Sequence, residues 1–580
     1  MKRYINYFIF IALLLLAVPL IFPLFHNGFF SMHDDTQVQR VYEMAKALMD
    51  GMFPVRWSTD LGYGYGYPMF NYYAPFIYYL GAWISFVGFS FITSTKIMIG
   101  IGILLSGLGM YLLANKLFGR FAGLVAVVLY MYAPYHALDI YVRGDMAEAF
   151  AYSLIPFVFY SFLLVDKRRK LAILLGSVSY GLLIISHNLT AFMVTPILLL
   201  ISLYLIIKSW RRREYMNIAA ILAIIILGIL FSAFYWLPAI TELHDTNVAS
   251  ITKGGSDFHD NFVCLPQLWN SPWGFGGSAP GCVDGLSFRI GKIHIVLAVL
   301  ALISLFGLVF SRIRKKLLKK LNIGLIVGIY VGLILSIFLT LQMSVAFWDA
   351  FSFMSFFQFP WRFLILIIFF ISLAGGLCIY IFEILFAGIK FKPYILSIMC
   401  LLIIVVTFFT DAKLFRPQTI YSVTDSYYLN RTNLLWTTSK TSDEYMPQEF
   451  YKPNNKTEAL RYNLISGSSQ ILVKNLKQSA NNIEFTTYSL KTQKILVHLA
   501  PFPGWKVFLN NVGIVPETDV NGYLLSLPAG SQQVRFIFMS TFMENIANFI
   551  SLTGIAVLII VIITIIRKES YADTEKKTFS

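Results

Sequence analysis

From Tyr4 to Ile566 the chain repeatedly runs for about twenty residues with almost no charge and then breaks into a short cluster of lysine and arginine. A helix of that length matches the roughly 30 Å hydrocarbon thickness of a bilayer, and only helices or closed barrels satisfy their backbone there. The clusters are Lys116 with Arg120, DKRRK at 166–170, RRR at 211–213, RIRKKLLKK at 312–320, Lys390 with Lys392, and Arg567 with Lys568. Basic residues in short connections mark the cytoplasmic side. Apolar runs fit between them at 4–25, 96–115, 121–134, 147–165, 171–187, 189–207, 217–237, 291–310, 322–342, 362–387, 393–410 and 545–566. The expected fold class is therefore a polytopic α-helical membrane protein, with about twelve transmembrane helices and both ends inside.

Residues 72–92 are also apolar, but a span there would invert every later loop and put five basic clusters outside. They read instead as a juxtamembrane or re-entrant hairpin rich in interfacial Tyr and Trp. Tyr4–Phe25 lacks a small-residue cleavage site and reads as a retained anchor. The composition, 57% hydrophobic and 13% charged, agrees with a membrane protein. The formal charge of +16 lies in the connecting loops, so no nucleic-acid partner is expected.

This topology leaves 26–95, the loop around 135–146, 238–290, 343–361 and 411–544 on the outer face. Residues 1–410 form the membrane domain, with 26–95 as its first outer loop. Residues 411–544 form an outer, mostly-β domain, because SQILVKNLKQSANNIEFTTYSLKTQKILVHLA alternates apolar and polar positions as a small β-sandwich does. Residues 545–566 are the last span, and 567–580 are a polar cytoplasmic tail expected to lack fixed structure. Cys378 and Cys400 fall in apolar runs and read as packing residues. Cys264 and Cys282 bracket a polar outer loop, where a disulfide is favoured over a metal pair because no His or further Cys stands at ligand spacing.

The candidate chemistry gathers on the outer face. His33, Asp34 and Asp35 precede an amphipathic stretch in which Val38, Val41, Ala45, Leu48 and Met49 recur at helical steps up to Gly51. Thr36 and Gln39 have capping-box spacing, which sets the acidic pair at the positive end of a helix dipole. One Asp would suffice as a cap. In YHALDIYVRGDMAEAF, Arg143, Asp145 and Glu148 lie near two membrane boundaries, with ordinary loop solvation as the plain alternative and as the reading for Asp139. Arg143, and Arg362 in FQFPWRF, suit a lipid-linked phosphate, against interfacial snorkelling for Arg362. His187 reads as a structural histidine. GYGYGYP at 62–68 lacks the Lys-Ser/Thr of a phosphate loop, and its tyrosines, Tyr65 among them, suit carbohydrate stacking or the interface.

The order of these pieces resembles the GT-C superfamily of polyprenyl-phosphate-sugar-dependent glycosyltransferases: an acidic first loop, an amphipathic helix, GMFPVRW, GYGYPMFNYYAPFIYYLGA, and a span ending in KLFGR. FQFPWRF, TSDEYMP, FPGWKVFLNN and LPAGSQQVRFIF look more closely like the bacterial 6-pyruvoyl-tetrahydropterin-synthase-related membrane family, a neighbour of the YfhO-like proteins. The resemblance implies a bacterial plasma-membrane enzyme with its catalytic face outside. It would transfer a sugar, with inversion, from a polyprenyl-phosphate-linked donor to a cell-envelope polymer or glycolipid. It implies Asp34 as catalytic base, with Asp35 supporting it or holding a metal, and a divalent metal (Mg or Mn) as an unassigned candidate cofactor; His33, Arg143, Asp145, Glu148, Arg362 and Tyr65 are the substrate-binding candidates that the outer-face residues offer beside it. The rival readings are a lipid-linked saccharide transporter or flippase and a non-catalytic envelope assembly protein; mid-membrane charges and repeated halves, the transporter signs, are missing from the sequence.

Overall fold

A computed structural model describes residues 2–252, 256–310, 321–448 and 450–578. The basic run 312–320 lies outside the described residues. Among those described, eight helices are long and apolar enough to cross a membrane: Phe91–Phe118, Arg120–Arg143, Arg169–Ser186, Asn188–Arg211, Ile323–Thr340, Pro360–Leu385, Lys392–Leu414 and Phe542–Ile566. Tyr215–Phe231 and Ala233–Thr241 make a ninth if that pair, bent by 64°, is one span. The expected twelve is reached only by adding the shorter apolar helices Ile9–Phe25, Met146–Phe162 and Lys292–Gly307. The protein is a multi-pass helical membrane protein with a C-terminal β region. Phe76–Phe86, inside the stretch 72–92, has 11 residues. It is roughly 16 Å long, about half a hydrocarbon core.

The bend at Ser232 has a local cause. Ser551 of the last helix accepts a hydrogen bond from the Phe234 backbone N–H at 2.7 Å and donates to the Leu230 carbonyl at 3.1 Å. Backbone groups freed by the break are thus satisfied by a neighbouring helix, which is what makes a break tolerable at membrane depth. The bend turns Tyr235, Trp236 and Ile240 toward a large cavity. The last helix continues to Thr578 instead of ending at Arg567, which corrects the expectation of an unstructured tail. ESYADTEKKT contains neither Gly nor Pro to stop it.

The strands of the C-terminal region run from β3 (Ile465–Gly467) to β11 (Gly530–Phe538), while 412–464 forms short helices and turns. Between them lie β4 (Leu472–Gln478), β5 (Asn482–Ser489), β6 (Gln493–Val497), β7 (Trp505–Leu509), β8 (Val512–Ile514), β9 (Glu517–Asp519) and β10 (Gly522–Leu527). They form a five-stranded sheet, order β4-β5-β11-β7-β8, and a four-stranded sheet, order β3-β6-β10-β9, with antiparallel pairing throughout. Alternate residues of β5 and β11 are buried, including Ile483, Phe485, Val534 and Phe536. The Tyr523 ring of one sheet meets Phe536 of the other at 5.6 Å.

The first outer loop is clamped to this region. Phe29 and Phe30 (β1) pair with Tyr421 and Ile420 (β2). Trp57 is fully buried, with ring contacts to Trp505 at 5.4 Å and Phe538 at 5.5 Å. Gly66 crosses the Trp57 indole with φ +70°, and a Cβ there would lie 2.4 Å from its Nε1, so this glycine of GYGYGYP is required by the approach. The loop 263–290 carries the Cys264–Cys282 disulfide.

Candidate functional site

The acidic stretch His33–Asp35 is fixed by backbone bonds to the second loop. The N–H groups of His33 and Asp34 donate to the carbonyls of Val142 and Arg143 at 3.0 and 2.9 Å. Gln37 Nε2 donates to the Gly144 carbonyl at 2.9 Å and the Asp34 carbonyl at 3.2 Å. Gly144 has φ +70°, and a Cβ on it would sit 2.2 Å from Met32 Sδ, so a side chain there would push the two loops apart. The expected helix forms over Gln37–Met49, but Thr36 makes no side-chain cap bond, which corrects the capping-box reading. Its Oγ1 is buried without a partner, and the Gln37 amide links the turn to the second loop instead.

Arg143 closes a π-turn over Asp139–Arg143 that brings it onto Asp139. It also pairs with Asp145 at 3.1 Å and Glu148 at 3.1 Å, and its guanidinium lies 4.6 Å above the Trp361 ring. Asp145 caps the Met146–Phe162 helix by accepting from the Glu148 N–H at 3.1 Å. Arg362, on a turn at the head of its span, pairs with Glu148 at 3.3 Å and Asp145 at 3.8 Å. It also donates to the Phe357 carbonyl at 2.9 Å and Gln358 Oε1 at 2.8 Å. Tyr135 donates to Glu148. With all five ionised, these three carboxylates and two guanidiniums sum to one negative charge, and all are buried. Burial alone would raise Asp145, but His187, the two guanidiniums and its cap bond hold it down at about 2.

Asp34 behaves differently. It lies on the wall of a cavity of about 970 Å³ with His33, Arg40, Arg143, Asp145, His187 and Arg362. Its carboxylate has no hydrogen-bond partner among the described residues. It is half-buried by surface, and desolvation with the charge of Asp145 raises its pKa, against the opposing pull of Arg40, Arg143 and Arg362. Asp35 is not on this cavity. Burial pushes it up to about 6, tempered by the Tyr428 hydroxyl beside it, which lies outside hydrogen-bonding geometry. The adjacent acids therefore occupy different environments. His33 donates from Nε2 to the Phe275 carbonyl at 2.9 Å, tying the acidic stretch to the disulfide loop.

The cavity wall opposite these buried polar groups is apolar. Phe192, Ile240, Phe353 and Phe356 line it and keep substantial exposed surface. A buried charged floor thus adjoins an exposed apolar rim.

Tyr65 does not line the cavity. It packs against Phe450, Tyr462 and His498 and joins the first loop to the β region, so the sugar-stacking role expected of it has no geometric support. Sequence reasoning overlooked Arg40, Tyr73 and Glu444, which do line the cavity. Arg40 falls off the apolar stripe of its helix and reads as a solvated side chain, but Tyr73, at 4.2 Å, covers it.

Asp145, Glu148 and His187 bring one potential ligand atom each within 4.8 Å of one another. Their chemistry does not fit a resident Mg or Mn. Both acids already accept from guanidiniums, and His187 Nδ1 accepts from the Thr190 N–H at 3.3 Å. A neutral histidine bonded in that way carries its proton on Nε2 and offers neither nitrogen as a lone pair. Burial lowers the His187 pKa, against the opposing pull of Asp145 and Glu148. Mg and Mn also prefer all-oxygen octahedral shells.

Residues 70–257 match the family described as 6-pyruvoyl-tetrahydropterin synthase related domain, membrane protein. This is the family that the motifs resemble, though FQFPWRF, TSDEYMP, FPGWKVFLNN and LPAGSQQVRFIF all lie beyond the matched stretch. An uncharacterized protein of Lactococcus lactis subsp. cremoris (strain MG1363) is 24% identical over 269 residues, 45% of this chain. The matched region spans only 43% of that relative's length. Among solved structures, the Archaeoglobus fulgidus oligosaccharyltransferase tethered to an NVT-sequon acceptor peptide is similar at TM-score 0.44 and 14% identity, over 79% of this chain and 60% of that one. The arabinofuranosyltransferase AftD from Mycobacteria gives 0.44 and 14%, over 74% and 28%. ArnT from Cupriavidus metallidurans, bound to undecaprenyl phosphate, gives 0.37 and 11%, over 77% and 79%.

Proposed function

We propose that this protein is a membrane glycosyltransferase of the GT-C type that takes a sugar from a polyprenyl-phosphate donor on the outer face of a bacterial plasma membrane. The observation that carries the reading is the cavity itself: an unpaired carboxylate on a buried charged floor, sharing one space with the exposed apolar side chains Phe192, Ile240, Phe353 and Phe356. A polyprenyl-linked sugar has this polarity, with a charged head on an apolar tail. The disulfide supports the outer face, because Ser278 and Leu286 near it line the same cavity and disulfides persist in oxidising compartments.

Asp34 acts as general base. It takes the proton of an acceptor hydroxyl; the acceptor oxygen bonds to the anomeric carbon; the carbon–oxygen bond to phosphate breaks, and its electron pair leaves with polyprenyl phosphate. Attack opposite the leaving group inverts the configuration. A raised carboxylate pKa suits this task, since a base works best when its pKa approaches the working pH. Arg143 and Arg362 hold the floor's carboxylates in place and set the field across the cavity. Asp35, off the cavity, supports the loop. The acceptor is a cell-envelope glycan or glycolipid, reached from the side that carries the β region.

Transfer from a defined polyprenyl-phosphate sugar by the purified full chain in nanodiscs tests the reading. Turnover in wild type that Asp34→Asn abolishes supports it. Movement of the donor lipid between leaflets without transfer would establish the flippase reading in its place, and binding without either would favour an assembly protein.

A further inference from the structure

The two arginines that the sequence offers as phosphate contacts are both committed to carboxylates. A third guanidinium on the cavity is not. Arg40 is 5% exposed, yet no carboxylate of the described residues lies within ion-pair distance of it. Its face rests on Tyr73 at 4.2 Å, and Nη1 donates to the Tyr78 hydroxyl at 3.3 Å. Among the described residues Nε has no partner but is closed off by its packing, and Nη2 makes no hydrogen bond. Nη2 is therefore the donor that the guanidinium leaves to the cavity, free to make a charge-assisted bond to an oxyanion.

A buried cation with no carboxylate in contact is costly, and a tyrosine face offsets only part of that cost. Tyr78 donates onward to Gln37 Oε1 at 2.9 Å, so the hydroxyl is oriented to accept from Arg40 and fixes the guanidinium. Arg40 sits on the same helix that follows Asp34, three residues after Gln37, whose amide pins that helix to the second loop. The cation and the unpaired carboxylate thus line one cavity on one rigid segment.

We infer that Arg40 is the oxyanion subsite of this cavity and binds the phosphate of the donor lipid through Nη2. This rests on the polyprenyl-phosphate reading above. In the transfer step the same donor meets the phosphate oxygen that gains charge as the anomeric bond breaks. Arg143 and Arg362, already neutralised by three acids, supply no free fork.

The test measures binding of a fluorescent short-chain polyprenyl phosphate and of the matching polyprenol to the full chain in phosphatidylcholine nanodiscs, with inorganic phosphate as competitor. Wild type should prefer the phosphate over the alcohol. Arg40→Gln should weaken phosphate binding by roughly 10–100-fold, the size of one charged hydrogen-bonded contact, and leave the alcohol unaffected. Arg40→Lys should keep part of the preference. The melting temperature of Arg40→Gln should equal or exceed that of wild type, because an unpaired buried charge is removed. Inorganic phosphate should displace the lipid from wild type and fail to do so from Arg40→Gln. Equal phosphate preference in wild type and Arg40→Gln, or equal displacement, overturns the Arg40 assignment while the donor reading stands. No phosphate preference in wild type overturns the donor reading. Binding of inorganic phosphate alone, lost in Arg40→Gln, keeps the oxyanion subsite and removes the lipid donor.

Discussion

Asp34→Asn separates the use of this side chain from its contribution to the fold. The carboxylate has no hydrogen-bond partner among the described residues, and burial with the charge of Asp145 raises its pKa. A carboxylate whose folded pKa lies above its unfolded value destabilises the fold when ionised, by about 1.4 kcal/mol for each unit raised, fully so above the folded pKa. That penalty fades as pH falls through the folded pKa toward the unfolded one. The amide removes the charge at nearly constant volume, so Asp34→Asn should melt at or above the wild-type temperature at pH 7.5. Transfer should nevertheless fall by about 10²–10⁴-fold, the usual loss with a general base. Wild-type transfer should rise with pH through a limb above the ordinary aspartate range, and the residual activity of Asp34→Asn should lack that limb. The assay pairs single-turnover transfer in nanodiscs with thermal unfolding of the same preparation. Full transfer by Asp34→Asn would end its role as base, and a clear drop in melting temperature would show that the carboxylate is a structural partner after all.

Glu148→Gln should act in the opposite way: its carboxylate is shared by Arg143 and Arg362 and fully buried, so its loss should cost roughly 3–5 kcal/mol, and an unchanged unfolding midpoint would refute the network. Burial raises Glu43 to about 8, with Asp60's charge adding to it, and Glu444 to about 7, so these two groups bind more protons in the folded chain than in the unfolded one near pH 8. Stability should therefore rise as pH is lowered from 8 toward 7, above the range where histidines such as His187 titrate when unfolded, seen as a rising midpoint in thermal scans; a flat or falling midpoint would contradict the burial of these acids. Cys282→Ser opens a loop with a sequence separation of 18, worth about 3 kcal/mol in a chain-entropy account, and hydrogen exchange should report lost protection across 263–290. Because His33 bonds to Phe275 in that loop, KM should rise more than kcat falls. EDTA should leave transfer unchanged, since the acids nearest a metal-like geometry already hold guanidiniums; inactivation reversed by Mg or Mn would refute that.

The membrane class was legible because bilayer thickness imposes a length and charge rule on sequence, and the alternation of residues 482–489 announced β5 in the same local way. The partition of the acidic pair was not. Asp34 and Asp35 are neighbours in sequence, and only long-range packing, with Tyr428 beside one and the cavity beside the other, tells them apart. Pairing was equally invisible. Arg143 stands close to Asp139, Asp145 and Glu148 in sequence, so its entrapment could have been suspected, but Arg362 reaches Glu148 across 214 residues. Tyr65 misled because a Gly-Tyr repeat looks alike whether it faces a ligand or a second domain.

Arg40, Asp34 and Glu444 share one physical signature that Arg143, Arg362 and Asp145 lack. Each is an ionisable group on the wall of one cavity with no ion-pair partner of opposite sign among the described residues, and each raises the free energy of the empty fold. Arg143, Arg362 and Asp145 stand against the same space, yet together with Glu148 they neutralise one another and stabilise the floor. Local electrostatic cost is expected where a fold serves a ligand rather than itself. Arg40 and Asp34 also have opposite signs, so a donor that carries an oxyanion and an acceptor that carries a proton to be removed satisfy both when bound together. A sugar phosphate with an acceptor hydroxyl against it has that pattern. The double variant Arg40→Gln with Asp34→Asn should therefore be more stable than wild type, by about the sum of the two single effects if the groups do not shield one another and by less if they do. A double variant less stable than wild type would show that the two charges already serve the fold, and the cavity would lose its claim to a charged ligand.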